Sequence, residues 1–196
     1  MKKSLLALSL LSTLTLSAAA SAAEGISYNY VEGGYTATNL DGQSDSDGWG
    51  LNGSVAIAPN FHVFGGYNQQ DFDSVNYGYD QWRLGVGYNH EISQNVDLVT
   101  RVAYEKFQGD DFNVGGVGFA GTDLDGYSGE VGVRGSLTQH LEGYAMAGYE
   151  DGSDYDGDFY GRLGAQVKFN PNWGISGDVK FADNDTQWFV GPRFTW

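Results

Sequence analysis

All five arginines of the chain, Arg83, Arg101, Arg134, Arg162 and Arg193, fall on one side of segments that alternate apolar and polar residues. Lys168 and Lys180 share that side, together with Glu91, Asp97, Glu105, Glu130, Glu142, Glu150 and Asp178. Successive strand residues point to opposite faces, so a one-sided charge set reads as an interior network in which seven positive groups meet seven negative ones. Buried charges must be paired, which favours a zipped interior over a wide water channel. A narrow wet pore lined by the same charges is the alternative. Distance from the nearest turn places Arg83 near Glu105 and Glu150, and Arg162 near Glu130. It places Arg101 near Asp178, and Lys168 near Glu91, Asp97 and Glu142. Strand tilt and shear shift such pairings by several residues.

Other candidate chemistry is thinner. Asp154-Tyr155-Asp156-Gly157-Asp158 offers closely spaced oxygen ligands that suit Ca²⁺, or a Mg²⁺ bridge to lipopolysaccharide phosphates. No glutamate closes the segment at the spacing of a calcium loop, so Asp154, Asp156 and Asp158 read better as solvated surface acids than as a metal site. Asp110-Asp111 imitates a carboxylate dyad, but within a loop already rich in aspartate. His62, His90 and His140 all sit beside short turns, and there is no cysteine. A histidine acid–base site at the long-loop end is therefore badly placed, and a thiol nucleophile is absent. Neither enzymatic activity nor a cofactor is expected.

The elements that must hold these groups are strands. Four short turns share their chemistry: Ala58-Pro59-Asn60, Ser93-Gln94-Asn95, Thr138-Gln139-His140 and Asn170-Pro171-Asn172. Each joins two alternating runs as a tight hairpin. Longer acidic segments near residues 39–47, 71–79, 108–125, 151–158 and 182–186 form the loops at the other end. The runs between give ten strands, with eight as the alternative: 26–38, 48–57, 61–70, 80–92, 96–107, 126–137, 141–150, 159–169, 173–181 and 187–196. Glu32-Gly33-Gly34 suggests a bulge in the first. Trp49, Trp82 and Trp188 fall at the loop ends of their strands, and Trp173 and Trp196 at the turn ends, a girdle for each interface.

The fold class expected is thus all-β, a transmembrane antiparallel up-and-down β-barrel. Lys2 and Lys3 before the apolar run Leu5 to Leu16, with Ala20-Ser21-Ala22 behind it, read as a cleaved signal peptide over 1–22, leaving 23–196 as one outer-membrane barrel domain. The formal charge of −15 becomes more negative once the leader lysines are removed, which excludes nucleic acid as a natural partner. Mean hydropathy of −0.35 and 30 glycines suit a barrel with polar lumen and loops. In the closing FVGPRFTW, Gly191, Phe194 and Trp196 match the carboxy-terminal signal read by the bacterial barrel-assembly machinery, with Phe189 standing where that signal has a polar residue.

Several segments, YNYVEGGY from Tyr28, APNFHVFG from Ala58, DQWRLGVGYNHEI from Asp80, RVAYEKF from Arg101, FYGRLGAQVKFN from Phe159 and FVGPRFTW, resemble one family. It is that of the small outer-membrane barrels of Xanthomonas and Stenotrophomonas, formerly proposed as activators of a rice immune receptor. The resemblance implies a Gram-negative outer-membrane protein released with outer-membrane vesicles. It also implies association with diffusible-signal-factor quorum sensing, motility, biofilm formation and virulence, and no catalytic residues. The expected role is a structural, surface-interacting barrel that meets outer-membrane lipid and lipopolysaccharide and displays acidic extracellular loops. A narrow passive porin-like channel is the alternative.

Overall fold

The computed structural model describes residues 22–40, 45–72, 77–109, 112–114, 117–119, 121, 123–153, 157–183 and 185–196. The leader through residue 21, and Asp110, Asp111, Asp154 and Asp156, lie outside them. The strands are β1 (Tyr30–Leu40), β2 (Ser46–Ala58), β3 (Phe61–Phe72), β4 (Gly78–Ser93), β5 (Val96–Gly109), β8 (Asp123–Thr138), β9 (Leu141–Gly152), β10 (Asp158–Lys168), β11 (Trp173–Phe181) and β12 (Asp185–Thr195). A small hairpin of β6 (Phe112–Val114) and β7 (Val117–Phe119) rides between β5 and β8. The ten larger strands close into an antiparallel up-and-down barrel, each paired with its neighbours in sequence and β12 with β1. Eight strands are thereby excluded.

The alternation in the sequence becomes an inside-out protein. Leu51, Leu84, Val102, Leu163 and Val190 are exposed on the outer face, whereas Gln70, Asn89, Glu142 and Lys180 are buried inside. At each end of the apolar band outward rings touch. Trp49 lies 5.4 Å from Tyr67 and Trp82 5.5 Å from Tyr104 at the loop end, and Trp173 lies 5.0 Å from Phe194 at the turn end.

No described non-glycine residue has positive φ, which excludes from the short turns the mirror-image geometry that matches strand twist. Three of the four hairpins absorb the mismatch with a register shift just before the turn, between Ala56 and Ala58, Glu91 and Ser93, and Ser136 and Thr138. The residue passed over is in each case a large exposed aliphatic: Ile57, Ile92 or Leu137. The bulges therefore extend the apolar band down to the turns. Thr138 caps its own turn by accepting the amides of His140 and Leu141 at 3.1 and 3.0 Å.

Two features of the first strand differ from expectation. Strand pairing begins at Tyr30 rather than residue 26, because residues 22–29 turn into the lumen. Nor is there a bulge at Glu32-Gly33-Gly34, since one register joins Glu32 to Arg193 and Tyr35 to Val190. What the glycines supply is clearance at the seam. A Cβ on Gly34 would lie 2.1 Å from the Val190 carbonyl oxygen, and one on Gly191 2.2 Å from that of Gly33.

Candidate functional site

The barrel interior is built by inward side chains from the ten barrel strands, and aromatic rings stand between the charges. Tyr28, Tyr30, Phe64, Tyr144 and Tyr160 lie inside, and inward glycines make room for them. A Cβ on Gly148 would meet the Tyr160 ring at 2.2 Å, and one on Gly164 the Tyr144 ring at 2.2 Å. Arg83 and Arg101 each place a guanidinium 5.2 Å from the Phe64 ring centre, and Arg193 sits 4.2 Å over Tyr30.

Six buried or half-buried carboxylates each face a side-chain cation. Arg193 Nε donates to Glu32 Oε2 at 2.6 Å, and the Ser176 hydroxyl donates to the same oxygen at 2.6 Å. Arg134 Nε donates to Glu142 Oε1 at 2.6 Å while Lys168 Nζ stands 2.9 Å from Oε2. Arg101 Nη1 reaches Glu130 Oε1 at 3.2 Å, and the Tyr160 hydroxyl donates to its other oxygen at 3.2 Å. Lys180 Nζ grips both oxygens of Glu150, at 2.7 and 2.6 Å. Arg83 with Glu105 and Arg162 with Asp178 stand farther apart, at 3.6 and 3.7 Å. Both border an internal cavity of about 90 Å³, room for a handful of waters.

Several expected placements change. Arg101 takes Glu130 rather than Asp178, Arg162 takes Asp178 rather than Glu130, and Glu150 goes to Lys180 rather than Arg83. Strand stagger is the reason, since residues equally far from their turns are not level in a sheared barrel. Glu91 is exposed at its turn end and drops out of the interior, while Glu32 joins it. Asp97 is fully buried, with no side-chain cation within 4 Å among the described residues. It accepts the Tyr28 hydroxyl at 2.9 Å and the Ala23 amide nitrogen at 3.1 Å.

Those two donors belong to the segment 22–29, which packs inside the turn end of the barrel. Ala23, Ile26 and Tyr28 pack on the inward Ala56, Val99 and Met146. The Tyr28 ring stacks on His62 at 4.4 Å and lies 4.8 Å beneath the Arg134 guanidinium. Arg134 Nη2 donates to the Ser27 carbonyl at 3.0 Å, and Lys168 Nζ donates to that of Gly25. At the loop end, Leu40, Phe72, Tyr77, Tyr79, Phe107 and Leu124 line a vestibule of about 370 Å³ above Glu150 and Lys180. The sequence shows these six as loop or strand-end residues, so the apolar collar inside the mouth is legible only after closure.

None of the histidines reaches that mouth. His62 is buried beside Tyr28, and His90 and His140 are exposed at the turns. The Asp158 carboxylate accepts the Phe159 and Asp183 amides at 2.7 and 3.0 Å. Among the described residues no three acids or histidines converge as metal ligands. Gly191 lies in the seam, while Phe194 and Trp196 stack outward at 6.2 Å.

No protein-family model matches the chain, and no curated protein sequence matches it. Among solved structures, the β domain of the Bordetella autotransporter Brka is similar over 86% of this chain and 98% of its own, with TM-score 0.50 and 11% identity. Ail, the attachment invasion locus protein of Yersinia pestis, is similar over 87% and 100%, with TM-score 0.46 and 13% identity. The KdgM porin bound to disordered oligogalacturonate is similar over 85% and 99%, with TM-score 0.46 and 15% identity. At these identities the likeness concerns the fold alone.

Proposed function

We propose that this chain is a closed outer-membrane barrel, a frame that holds an acidic, aromatic-lined outer mouth for surface interaction rather than a conduit. The observation that supports the reading is an interior packed at two levels. Residues 22–29 pack into one end, and beyond them paired charges and aromatic rings narrow the lumen to a cavity of about 90 Å³ beneath the vestibule. Membrane placement is supported by the continuous exposed apolar band and the outward aromatic rings at both ends of it. The two charged lysines, apolar run and small-residue site of 1–22 support export with cleavage after Ala22. The acids on the long-loop side then face the exterior, beside lipopolysaccharide, and FVGPRFTW serves the assembly machinery.

The resemblance of the strand and turn segments supports membership of the diffusible-signal-factor-associated family, and with it a role in vesicle release, quorum sensing, motility, biofilm formation and virulence. Planar-bilayer recording of the protein purified from membranes, with heat-modifiable gel migration as the folding control, tests the closed frame. Silence is the expected result. Steady discrete openings of the folded form would replace this reading with the porin-like one.

A further inference from the structure

Asp97 is the one buried acid of the lumen without a side-chain cation within 4 Å among the described residues. Every cation inside is already engaged by another carboxylate. Two neutral donors are thus all that Asp97 has in contact, where a fully buried carboxylate ordinarily has an opposite charge as well. One of those donors is the backbone nitrogen of Ala23, 3.1 Å from Oδ1 and itself 2% exposed. Ala23 follows the small-residue site Ala20-Ser21-Ala22.

We infer that signal-peptide cleavage converts the Ala23 nitrogen into the counter-charge of Asp97, so that processing builds an ion pair into the lumen. This rests on the export reading above. Hydrolysis breaks the Ala22–Ala23 amide: water's hydroxyl goes to the Ala22 carbonyl carbon and its hydrogen to the Ala23 nitrogen, and the new acid releases a proton and leaves with the leader as a carboxylate. The freed amine on Ala23 takes up a proton and becomes an ammonium. The nitrogen keeps its place and gains a charge 3.1 Å from Asp97.

The local backbone is shaped to hold it there. The Ile26 amide donates to the Ala23 carbonyl at 3.1 Å across Glu24 and Gly25, and Gly25 has φ of +81°. That is the left-handed conformation glycine adopts without strain. A side chain at Gly25 would also strike Ser136 Oγ at 2.6 Å. The Glu24 amide donates to the Gln94 carbonyl at 2.7 Å, and the Gln94 side chain returns a bond to Glu24 at 2.8 Å. The turn is thus fixed to the β4–β5 hairpin, and Asp97 is the second residue of the strand that follows. A chain start displaced by one residue would carry its charge about 3.5 Å away from the carboxylate.

The test uses barrel purified from outer membranes. Intact mass first establishes the first residue. Any start other than Ala23 overturns the cleavage reading itself. With Ala23 in place, an amine-acylating reagent is applied near neutral pH to folded and heat-unfolded protein, and occupancy of the α-amine is read by peptide mass spectrometry. Folded protein should react at least about tenfold more slowly at Ala23, because reaction there requires local opening. Equal rates would overturn the pairing while leaving the cleavage reading intact. Asp97→Asn should lose the protection and Asp97→Glu should retain most of it; unchanged protection in a folded Asp97→Asn barrel would also overturn the inference. Should Asp97→Asn fail to fold, ¹⁵N-alanine spectra of the wild-type barrel decide. A slowly exchanging Ala23 ammonium supports the pair, and a rapidly exchanging one refutes it.

Discussion

Replacing Arg101 with Met tests whether the lumen is zipped or wet. Arg101 Nη1 lies 3.2 Å from Glu130 Oε1, with side-chain exposures of 10% and 1%. At that separation the Coulomb attraction is about 5 kcal/mol for an effective dielectric near 20. The loss on cutting the pair is larger than its net worth, because Glu130 then stays buried with the Tyr160 hydroxyl as its remaining hydrogen bond from the pair's surroundings. The expected destabilisation is about 3–5 kcal/mol, read from urea unfolding in lipid vesicles by tryptophan fluorescence. Glu130→Gln should also destabilise, by stranding Arg101. The double variant should cost markedly less than the sum of the two, since both charges are gone. The rim pair Lys106–Asp123 is equally close, 3.0 Å, but its side chains are 24% and 56% exposed. Lys106→Met should therefore leave the unfolding midpoint essentially unchanged. A loss below about 1 kcal/mol for Arg101→Met, or strict additivity in the double variant, would mean that water solvates these charges and that the interior is an open pore.

Two further outcomes follow from the seam and the inner segment. Gly34→Val should abolish or severely slow barrel closure, seen as loss of the heat-modifiable species on gels, because its side chain has no space beside the Val190 carbonyl. Tyr28→Ala removes a fully buried ring stacked on His62. It should lower stability by about 3–5 kcal/mol while bilayers stay silent, if the paired charges beyond it keep the proposed frame closed.

The strands were legible because two signals agreed, period-two alternation and turn residues at regular spacing, and both are local. Where one signal served two purposes the sequence misled. Ile26, Tyr28 and Tyr30 alternate as one strand would, yet pairing starts at Tyr30, and the two earlier residues pack inside instead. Glu91 has the parity of an inward residue but lies beyond the lumen, beside a register shift. Glu32 went unassigned because the glycines behind it read as a bulge rather than as seam clearance. The membership of the charge set was thus nearly readable, but who pairs with whom depended on shear, which no single strand encodes. Nor did any local pattern mark Phe72, Phe107 and Leu124 as lining one cavity, for they lie on different strands and meet only when the cylinder closes.

At the seam the Trp196 amide donates to the Asn29 carbonyl at 3.2 Å, and Ser27 Oγ donates to the Trp196 carbonyl at 3.5 Å, a contact between residues 169 apart. Bringing such distant points together in a flexible chain costs about 4–5 kcal/mol of entropy. Hairpins formed one after another do nothing to recover that cost until β12 meets β1. A chain interrupted late in the membrane would thus hold nearly all its local pairings and two bare edges, and would lack the final gain. Closure of β12 on β1 is the one pairing whose gain depends on the whole cylinder.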